Sequence, residues 1–268
     1  MLGKTNQENP MRHFLLIAFT LFFSASAHAA LVKKDVQYKD GSEILLGYLV
    51  YDDSIKDPQP GVVVVHDWMG LTAENKIKVE ETAMLGYVAF GADIYGKDKR
   101  PASVEDAAKF SSAWKADRKK LRTRINAALK VLQKQTFVDK NRLGATGYCF
   151  GGTTVLELAR SGANVKAVAT FHGGLDSQTP EDAKNIKAHL LVLHGADDPY
   201  VKAEDVKAFQ QELRAAHVDW QMIEYGNAVH SFTIKGAGSD NAKGAAYNAD
   251  ADKRSWSALQ NFFKETLH

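Results

Sequence analysis

The chain has 268 residues, of which 45% are hydrophobic and 25% are charged, and this is an ordinary globular composition. Lys and Arg number 34 against 32 for Asp and Glu, and no long run of one charge sign occurs. This balance excludes the basic surface that nucleic-acid-binding proteins present, so we expect no nucleic-acid partner. The length accommodates one large α/β domain or two small ones.

The N-terminal 29 residues predict a secretory signal peptide. An apolar run at residues 14–23 follows basic residues and precedes an A-x-A cleavage sequence that ends at Ala29. The natural start is Met1 or Met11. An uncleaved anchor is the alternative, but the run is shorter than the ~20 residues that span a bilayer. We therefore expect an exported protein, periplasmic or secreted, with no stable membrane association after cleavage.

The remaining residues, 30–268, predict a single domain in which strands alternate with helices. Strands are predicted at residues 32–39, 43–51, 61–65, 87–94, 142–148, 165–171, 189–194 and 220–224. Helices are predicted at residues 72–85, 103–135, 153–160, 203–216 and over most of 241–266. This alternation favours the α/β class, with a mostly parallel sheet covered by helices on both faces. The charged residues at 115–124 are expected to form a solvated helix face, with a specific anion site as the alternative.

The sequence G-Y-C-F-G-G, residues 147–152, joins a predicted buried strand to a predicted helix through a very sharp turn. Gly147 and Gly151 lack the Cβ atoms that would clash where the strand and the helix nearly touch. The pattern is that of the G-x-S-x-G nucleophile elbow, with Cys149 in place of serine. Two alternatives are a phosphate-binding turn and a lone Cys that packs as a small hydrophobe. Cys149 is the only Cys in a chain predicted to be exported, which favours a reactive thiol.

Two later loops carry the groups that a Cys nucleophile needs. His230, in N-A-V-H-S-F, is the candidate base, and Asp198, in H-G-A-D-D-P-Y-V, is the candidate acid that orients it. The chain order nucleophile, acid, histidine is that of α/β hydrolases. Asp197 is the rival acid, and an Asp in such a loop is also a common turn former.

The loop H-D-W-M-G-L, residues 66–71, follows the first strand predicted to be buried on both faces. An α/β hydrolase places its second oxyanion donor there, so the N–H groups of Trp68 and Phe150 are the candidate oxyanion hole. Asp67, His172 and Tyr148 are candidates for tuning the thiol or lining the pocket. No two histidines have the spacing of metal ligands, and we expect neither a metal nor an organic cofactor.

Five segments in order, V-V-V-V-H-D-W-M-G-L, A-D-I-Y-G, G-Y-C-F-G-G, H-G-A-D-D-P-Y-V and V-H-S-F, resemble the dienelactone hydrolase family, also called carboxymethylenebutenolidases. The resemblance runs from about Val32 to the C-terminus. It implies an α/β-hydrolase fold with a Cys-His-Asp triad at Cys149, His230 and Asp198.

Two positions depart from the family's founding members. Asp67 stands where those members have a Glu beside the resting thiol, and Asp is one methylene shorter. Ile234 stands where they have an Arg that binds the carboxylate of the dienelactone. The resemblance therefore implies an ester or lactone hydrolase whose substrate is not dienelactone itself.

The sequence as a whole predicts a monomeric hydrolase that cleaves small carboxylic esters or lactones through a thioester on Cys149. Its partners would be small molecules only. Two alternatives stay open: a thiol redox or sensor protein that uses Cys149, and a non-catalytic binding protein on the same fold.

Overall fold

The computed structural model describes residues 1–4 and 31–268, so the signal-peptide prediction for residues 1–29 falls almost wholly outside the described residues. The strands are β1 (Leu31–Asp40), β2 (Glu43–Asp52), β3 (Gln59–Val65), β4 (Val88–Ala92), β5 (Val138–Tyr148), β6 (Ala167–Phe171), β7 (His189–Gly195) and β8 (Trp220–Tyr225). The helices are α1 (Ala73–Met84), α2 (Val104–Ala116), α3 (Arg118–Gln133), α4 (Phe150–Arg160), α5 (Ala203–Ala215) and α6 (Ala249–Leu267).

All eight strands belong to one sheet, in the order β1-β2-β4-β3-β5-β6-β7-β8. β1 and β2 form an antiparallel hairpin at one edge, with β1 outermost, and β2 is antiparallel to β4. Every other neighbouring pair is parallel. The carboxyl ends of β3, β5, β6, β7 and β8 therefore lie at one edge of the sheet, where the loops that follow them meet.

Helices cover both faces of this sheet, which confirms the predicted fold class. Alternate residues of the central strands point to opposite faces, as the run at residues 62–65 shows: Val62 and Val64 belong to one apolar core, and Val63 and Val65 to the other. α1 and α6 pack on the first core, whereas α3, α4 and α5 pack on the second. No helix among the described residues has both the length and the apolar content that a membrane crossing requires.

The helix predicted at residues 153–160 begins three residues earlier, at Phe150, and two other predicted helices differ more. The helix predicted at residues 103–135 is two helices, because Asp117 leaves helical geometry (φ −114°, ψ 78°) and its side chain accepts a hydrogen bond from the Lys120 N–H, capping α3. The helix predicted from residue 241 begins only at Ala249, where Asn248 caps α6 in the same way. In both cases a short polar side chain satisfies the free N–H groups of a new helix.

The prediction of a solvated charged face at residues 115–124 is wrong for two arginines. Arg118 and Arg124 are 6% and 2% exposed. Arg124 pairs with Asp40 at 2.7 Å, and Arg118 pairs with Asp176 at 2.6 Å. Their charges are buried but compensated, so they tie α3 to the β1–β2 turn and to the loop after β6.

Candidate active site

Cys149 occupies the single residue between β5 and α4. Its backbone has φ 54° and ψ −115°, a left-handed conformation that a non-glycine residue adopts at a cost of about 1–3 kcal/mol. The turn depends on two glycines: a Cβ on Gly147 would collide with the carbonyl of Gly151, and a Cβ on Gly151 would collide with the carbonyl of Val65. The G-x-C-x-G spacing therefore follows from how closely the strands and the helix approach at this turn.

Cys149, His230 and Asp198 form a continuous chain of hydrogen bonds. His230 Nε2 lies 3.0 Å from Cys149 Sγ, and His230 Nδ1 lies 2.8 Å from Asp198 Oδ2. The Asp198 side chain is fully buried, and its other oxygen accepts a hydrogen bond from the Tyr200 N–H at 2.9 Å. Because the carboxylate accepts the proton on Nδ1, it leaves Nε2 to receive the thiol proton.

Competing effects act on the pKa of His230. Burial lowers it, but the negative charge of Cys149 and the hydrogen bonds to Asp198 and Cys149 outweigh the burial and raise the pKa to about 10. The raised pKa makes the ring a better proton acceptor than an ordinary imidazole.

The loops that carry Asp198 and His230 are fixed against each other. A Cβ on Gly195 would lie 2.6 Å from the Ala228 carbonyl, and the Asp197 N–H donates to that carbonyl at 3.0 Å. The His230 backbone bridges to the segment before α6, accepting from the Ala246 N–H at 3.0 Å. Asp197 itself is exposed, so Asp198 is the carboxylate that contacts the histidine.

Trp68, on the loop after β3, and Phe150, at the start of α4, line the same cavity as Cys149. In the part of the chain that the structure describes, neither the Trp68 N–H nor the Phe150 N–H donates a hydrogen bond. The Phe150 N–H is one of the free donors at a helix N-terminus, where partial positive charge accumulates. Both groups are available to a developing negative charge on a substrate oxygen.

Asp67 supports its own loop and does not contact the thiol. Its carboxylate accepts from the Met69 N–H at 2.8 Å, and its backbone N–H donates to Asn75 Oδ1 at 3.2 Å. Burial raises the pKa of this carboxyl group above its ordinary value. Its contacts shape the turn that presents Trp68, so the predicted tuning of Cys149 is not through a direct hydrogen bond.

His172 connects Cys149 to the loop that carries His230. The Cys149 N–H is shared between the Phe171 carbonyl oxygen at 3.0 Å and His172 Nδ1 at 3.1 Å. Because Nδ1 accepts, the ring proton is on Nε2, which donates to Thr233 Oγ1 at 2.8 Å. Burial, together with the charge of His230, lowers the pKa of His172 well below its ordinary value, so the ring is neutral. Its backbone φ of 38° is another left-handed conformation at the site.

Tyr148 lies outside the cavity, and the expectation that it tunes the thiol or lines the pocket is wrong. Its ring stacks on Phe171 at 4.6 Å and lies under the ammonium group of Lys78. The physical reason is strand alternation: Tyr148 precedes Cys149 by one residue and points to the face covered by α1 and α6.

A cavity of about 310 Å³ opens above Cys149. Its lining comprises Trp68, Ser111, Lys115, Cys149, Phe150, Thr153, Gly174, Tyr200, Val201, His230, Ser231 and Ala245. Sequence reasoning missed Lys115 and Tyr200 as lining residues. Tyr200 is the Tyr of the P-Y-V motif and could have been found there, whereas nothing in the helical pattern distinguishes Lys115 from its charged neighbours. Among the described residues, no group of three or more His, Cys, Asp and Glu side chains could hold a metal ion.

A mostly parallel eight-stranded sheet with helices on both faces and a Cys at the strand-to-helix elbow defines an α/β hydrolase. The chain belongs to the dienelactone hydrolase family, whose sequence model matches residues 45–267.

Known proteins and solved structures are similar to this chain. The crystal structure of the dienelactone hydrolase-like promiscuous phosphotriesterase P91, from metagenomic libraries, is 41% identical, with a TM-score of 0.85 over 89% of this chain and 100% of that one. An uncharacterized protein of Caenorhabditis elegans is 40% identical over 155 residues, which are 55% of this chain and 95% of that protein. The dienelactone hydrolase of Anabaena variabilis shares the fold, with a TM-score of 0.67 at 18% identity over 89% of this chain and 99% of that one.

Proposed function

We propose that the protein hydrolyses small carboxylic esters or lactones through a thioester on Cys149. The observation that carries this proposal is the chain of hydrogen bonds from Cys149 Sγ through His230 to Asp198, at 3.0 and 2.8 Å, on the floor of a cavity of about 310 Å³. A nucleophile, its base and the group that orients the base are the parts that acyl transfer requires.

Acylation begins when His230 takes the proton of Cys149 and the thiolate attacks the substrate carbonyl carbon. The C=O π electrons move to the oxygen, where the N–H groups of Phe150 and Trp68 stabilise the charge by ~3 kcal/mol each. The tetrahedral adduct then collapses, and the alcohol oxygen leaves with the proton from the imidazolium of His230. A thioester on Cys149 remains.

Deacylation uses the same groups in reverse. His230 removes a proton from water, the hydroxide attacks the thioester carbonyl, and the thiolate leaves as the acid is released. A thiolate leaves more readily than an amide nitrogen, so the adduct of an amide would tend to revert to substrate. Activated esters and lactones are therefore the preferred substrates.

Incubation with 4-nitrophenyl acetate and with a panel of uncharged lactones tests the proposal. We expect turnover, an acyl adduct on Cys149 by mass spectrometry, and loss of hydrolysis in Cys149→Ala and His230→Ala. A sulfenic acid on Cys149 without any acyl adduct would instead support a redox or sensor protein. No turnover and no modification would leave a binding protein on this fold.

Phosphotriester hydrolysis is a second candidate function, favoured by the 41% identity to the promiscuous phosphotriesterase P91 across 89% of this chain. Thiolate attack at phosphorus would form an S–P bond and expel an aryl oxide, with the same N–H groups facing the phosphoryl oxygen. Water, deprotonated by His230, would then attack phosphorus, break the S–P bond and release the dialkyl phosphate. Diethyl 4-nitrophenyl phosphate is the probe. Release of 4-nitrophenolate that Cys149→Ala abolishes would support this activity, and release that survives in Cys149→Ala would refute it.

We also infer that the protein is exported and that residues 30–268 form its single mature domain. The support is the order of basic, apolar and small residues before Ala29, together with the first strand, which begins at Leu31 and is left complete by cleavage after Ala29. The N-terminal sequence of protein recovered from the periplasm or the medium tests this. A retained N-terminus in the cytoplasmic fraction would refute it.

The proposed working form is a monomer that acts on small molecules. Cys149, His230 and Asp198 contact one another directly within a single chain, so this hydrogen-bonded set needs no residue from a second copy. Light scattering on the purified mature protein should give the mass of one chain across the concentrations used for the assay.

A further inference from the structure

His66 is buried beside the candidate site, but it does not face a substrate. It directly follows β3, is 1% exposed, and does not line the cavity above Cys149. Its ring packs between two aromatic rings, with its centroid 5.0 Å from that of Tyr95 and 5.9 Å from that of Phe150. His66 has no role in the reaction proposed above.

The hydrogen bonds of His66 determine which nitrogen carries the proton. The Ile94 N–H donates to His66 Nε2 at 3.3 Å, and because a backbone N–H can only donate, Nε2 carries the lone pair. The proton of the neutral ring is therefore on Nδ1, which donates to the Asp67 carbonyl oxygen at 2.6 Å. Burial lowers the pKa of His66 to about 4, so this arrangement persists at neutral pH.

The Asp67 carbonyl belongs to the same peptide unit as the Trp68 N–H. The carbonyl and N–H of a trans peptide point in opposite directions in one plane, and the described residues contain no cis peptide. A donor held on the carbonyl therefore fixes the direction of the N–H. It also polarises the peptide, which makes the N–H a stronger donor.

We propose that His66 is a positioning residue that aims the Trp68 N–H at the oxyanion of the reaction. This inference rests on the proposed ester hydrolysis. The Gly70 N–H also donates to the Asp67 carbonyl, but at 3.3 Å against 2.6 Å for His66. Asn75 and Tyr95 hold the two flanking peptide units, so the unit that carries the Trp68 N–H depends mainly on His66.

Two substitutions of similar size separate the hydrogen bond from the packing. In His66→Asn the amide nitrogen occupies about the position of Nδ1 and can donate to the Asp67 carbonyl. In His66→Leu no donor remains. If the His66→Leu variant does not fold, His66→Gln is used in its place. The Gln amide group lies near the position of Nε2, and so does not donate to the Asp67 carbonyl.

Three measurements on the full mature chain distinguish positioning from folding. The first is kcat and KM on 4-nitrophenyl acetate. The second is the affinity for a trifluoromethyl ketone. In its adduct the Cys149 sulfur is bonded to the carbonyl carbon, and the C=O π electrons have moved to the oxygen, which occupies the oxyanion position. The third is the rate of alkylation of Cys149 by iodoacetamide, in which an S–C bond forms, iodide leaves and no oxyanion develops.

We expect His66→Leu to lower kcat by about 10- to 100-fold, somewhat less than the 10²- to 10³-fold loss on removing an oxyanion donor outright. Ketone affinity should fall by a similar factor, while KM and the alkylation rate stay within about twofold. His66→Asn should keep most of the activity. The inference is overturned if kcat is unchanged in His66→Leu, if the alkylation rate falls as far as kcat, or if His66→Asn is as impaired as His66→Leu. Failure of the proposed function looks different, since the unmodified protein would then neither turn over the ester nor bind the ketone.

Discussion

At the scale of single residues, the neighbouring carboxylates of Asp197 and Asp198 differ in burial and in their contacts. Asp198 is buried and contacts His230 Nδ1 at 2.8 Å, whereas Asp197 is exposed. Asp198→Asn should lower kcat on 4-nitrophenyl acetate by about 100-fold or more, because an amide can present N–H to the ring and stabilise the wrong tautomer. Asp197→Asn is the matched control and should keep kcat within about twofold. Equal losses in the two variants would show that Asp198 is not the orienting acid.

The link between His172 and Thr233 gives a second test at this scale. Thr233→Val removes the acceptor of the His172 Nε2–H and leaves a buried donor unsatisfied, at a cost of about 1–3 kcal/mol. We expect a lower melting temperature, measured by calorimetry, and a kcat reduced about 3- to 10-fold because the His230 loop loses this tie.

Thr146→Val is the control for that substitution. Thr146 is also fully buried, on β5, but its hydroxyl has no hydrogen-bond partner among the described residues. Its replacement should leave both stability and kcat nearly unchanged. If Thr146→Val is as damaging as Thr233→Val, the effect belongs to the hydroxyl packing and not to the contact with His172.

At the scale of elements, the approach of α4 to β3 depends on Gly151. A Cβ there would meet the backbone carbonyl of Val65, which cannot rotate away as a side chain can. Gly151→Ala should lower the free energy of unfolding, measured with urea, by about 1–3 kcal/mol or more. It should also slow the alkylation of Cys149, measured by mass spectrometry. Gly226→Ala, where a Cβ has open space and φ is not positive, is the control and should behave like the unmodified protein.

Sequence patterns predicted the elements where one local signal dominates. The valine run of β3, the Thr72 cap of α1 and the glycines around Cys149 each correspond to one physical requirement, and these elements are where the sequence placed them. The break at Asp117 was missed because apolar spacing continues across it, and only the cap marks the new helix. The burial of Arg124 was missed because its partner, Asp40, lies 84 residues away in the chain.

In the candidate site, too, local signals were predictable from the sequence and long-range contacts were not. The loops after β3, β5, β7 and β8 could be placed at one edge because parallel strands end together, and the order of Cys149, Asp198 and His230 assigned their roles. The direction in which the Tyr148 side chain points depends on which residues of β5 face each side of the sheet. The contribution of Lys115 to the cavity depends on how α2 packs. Both hydrogen bonds of His66, and the one at His172 Nδ1, are made to backbone groups, which no pattern of side chains reveals.

At the scale of the whole molecule, the buried histidines make stability depend on pH. Burial lowers the pKa of His66 to about 4, whereas His titrates near 6.5 in an unfolded chain. Between these values the unfolded chain binds more protons, so the free energy of unfolding decreases as the pH falls from about 6.5 to about 4, by on the order of 3 kcal/mol for this group. His172 acts in the same direction.

Urea unfolding midpoints measured between these two pH values test this expectation. His66→Asn has no titrating ring, so its midpoint should depend less steeply on pH than that of the unmodified protein. A curve of equal slope in the variant would show that His66 is protonated in the folded state as easily as in the unfolded one.

β1, the outermost strand of the hairpin, has no neighbouring strand on its outer side within residues 1–4 and 31–268, and it carries Lys33, Lys34 and Lys39, all exposed. A strand at the edge of a sheet can recruit a strand from another molecule, and lysines are a common means of preventing this. Two copies that approached through β1 would bring these ammonium groups together and would have to desolvate them. Growth of the sheet from one molecule into the next is thereby discouraged, which helps the protein to stay dispersed at high concentration.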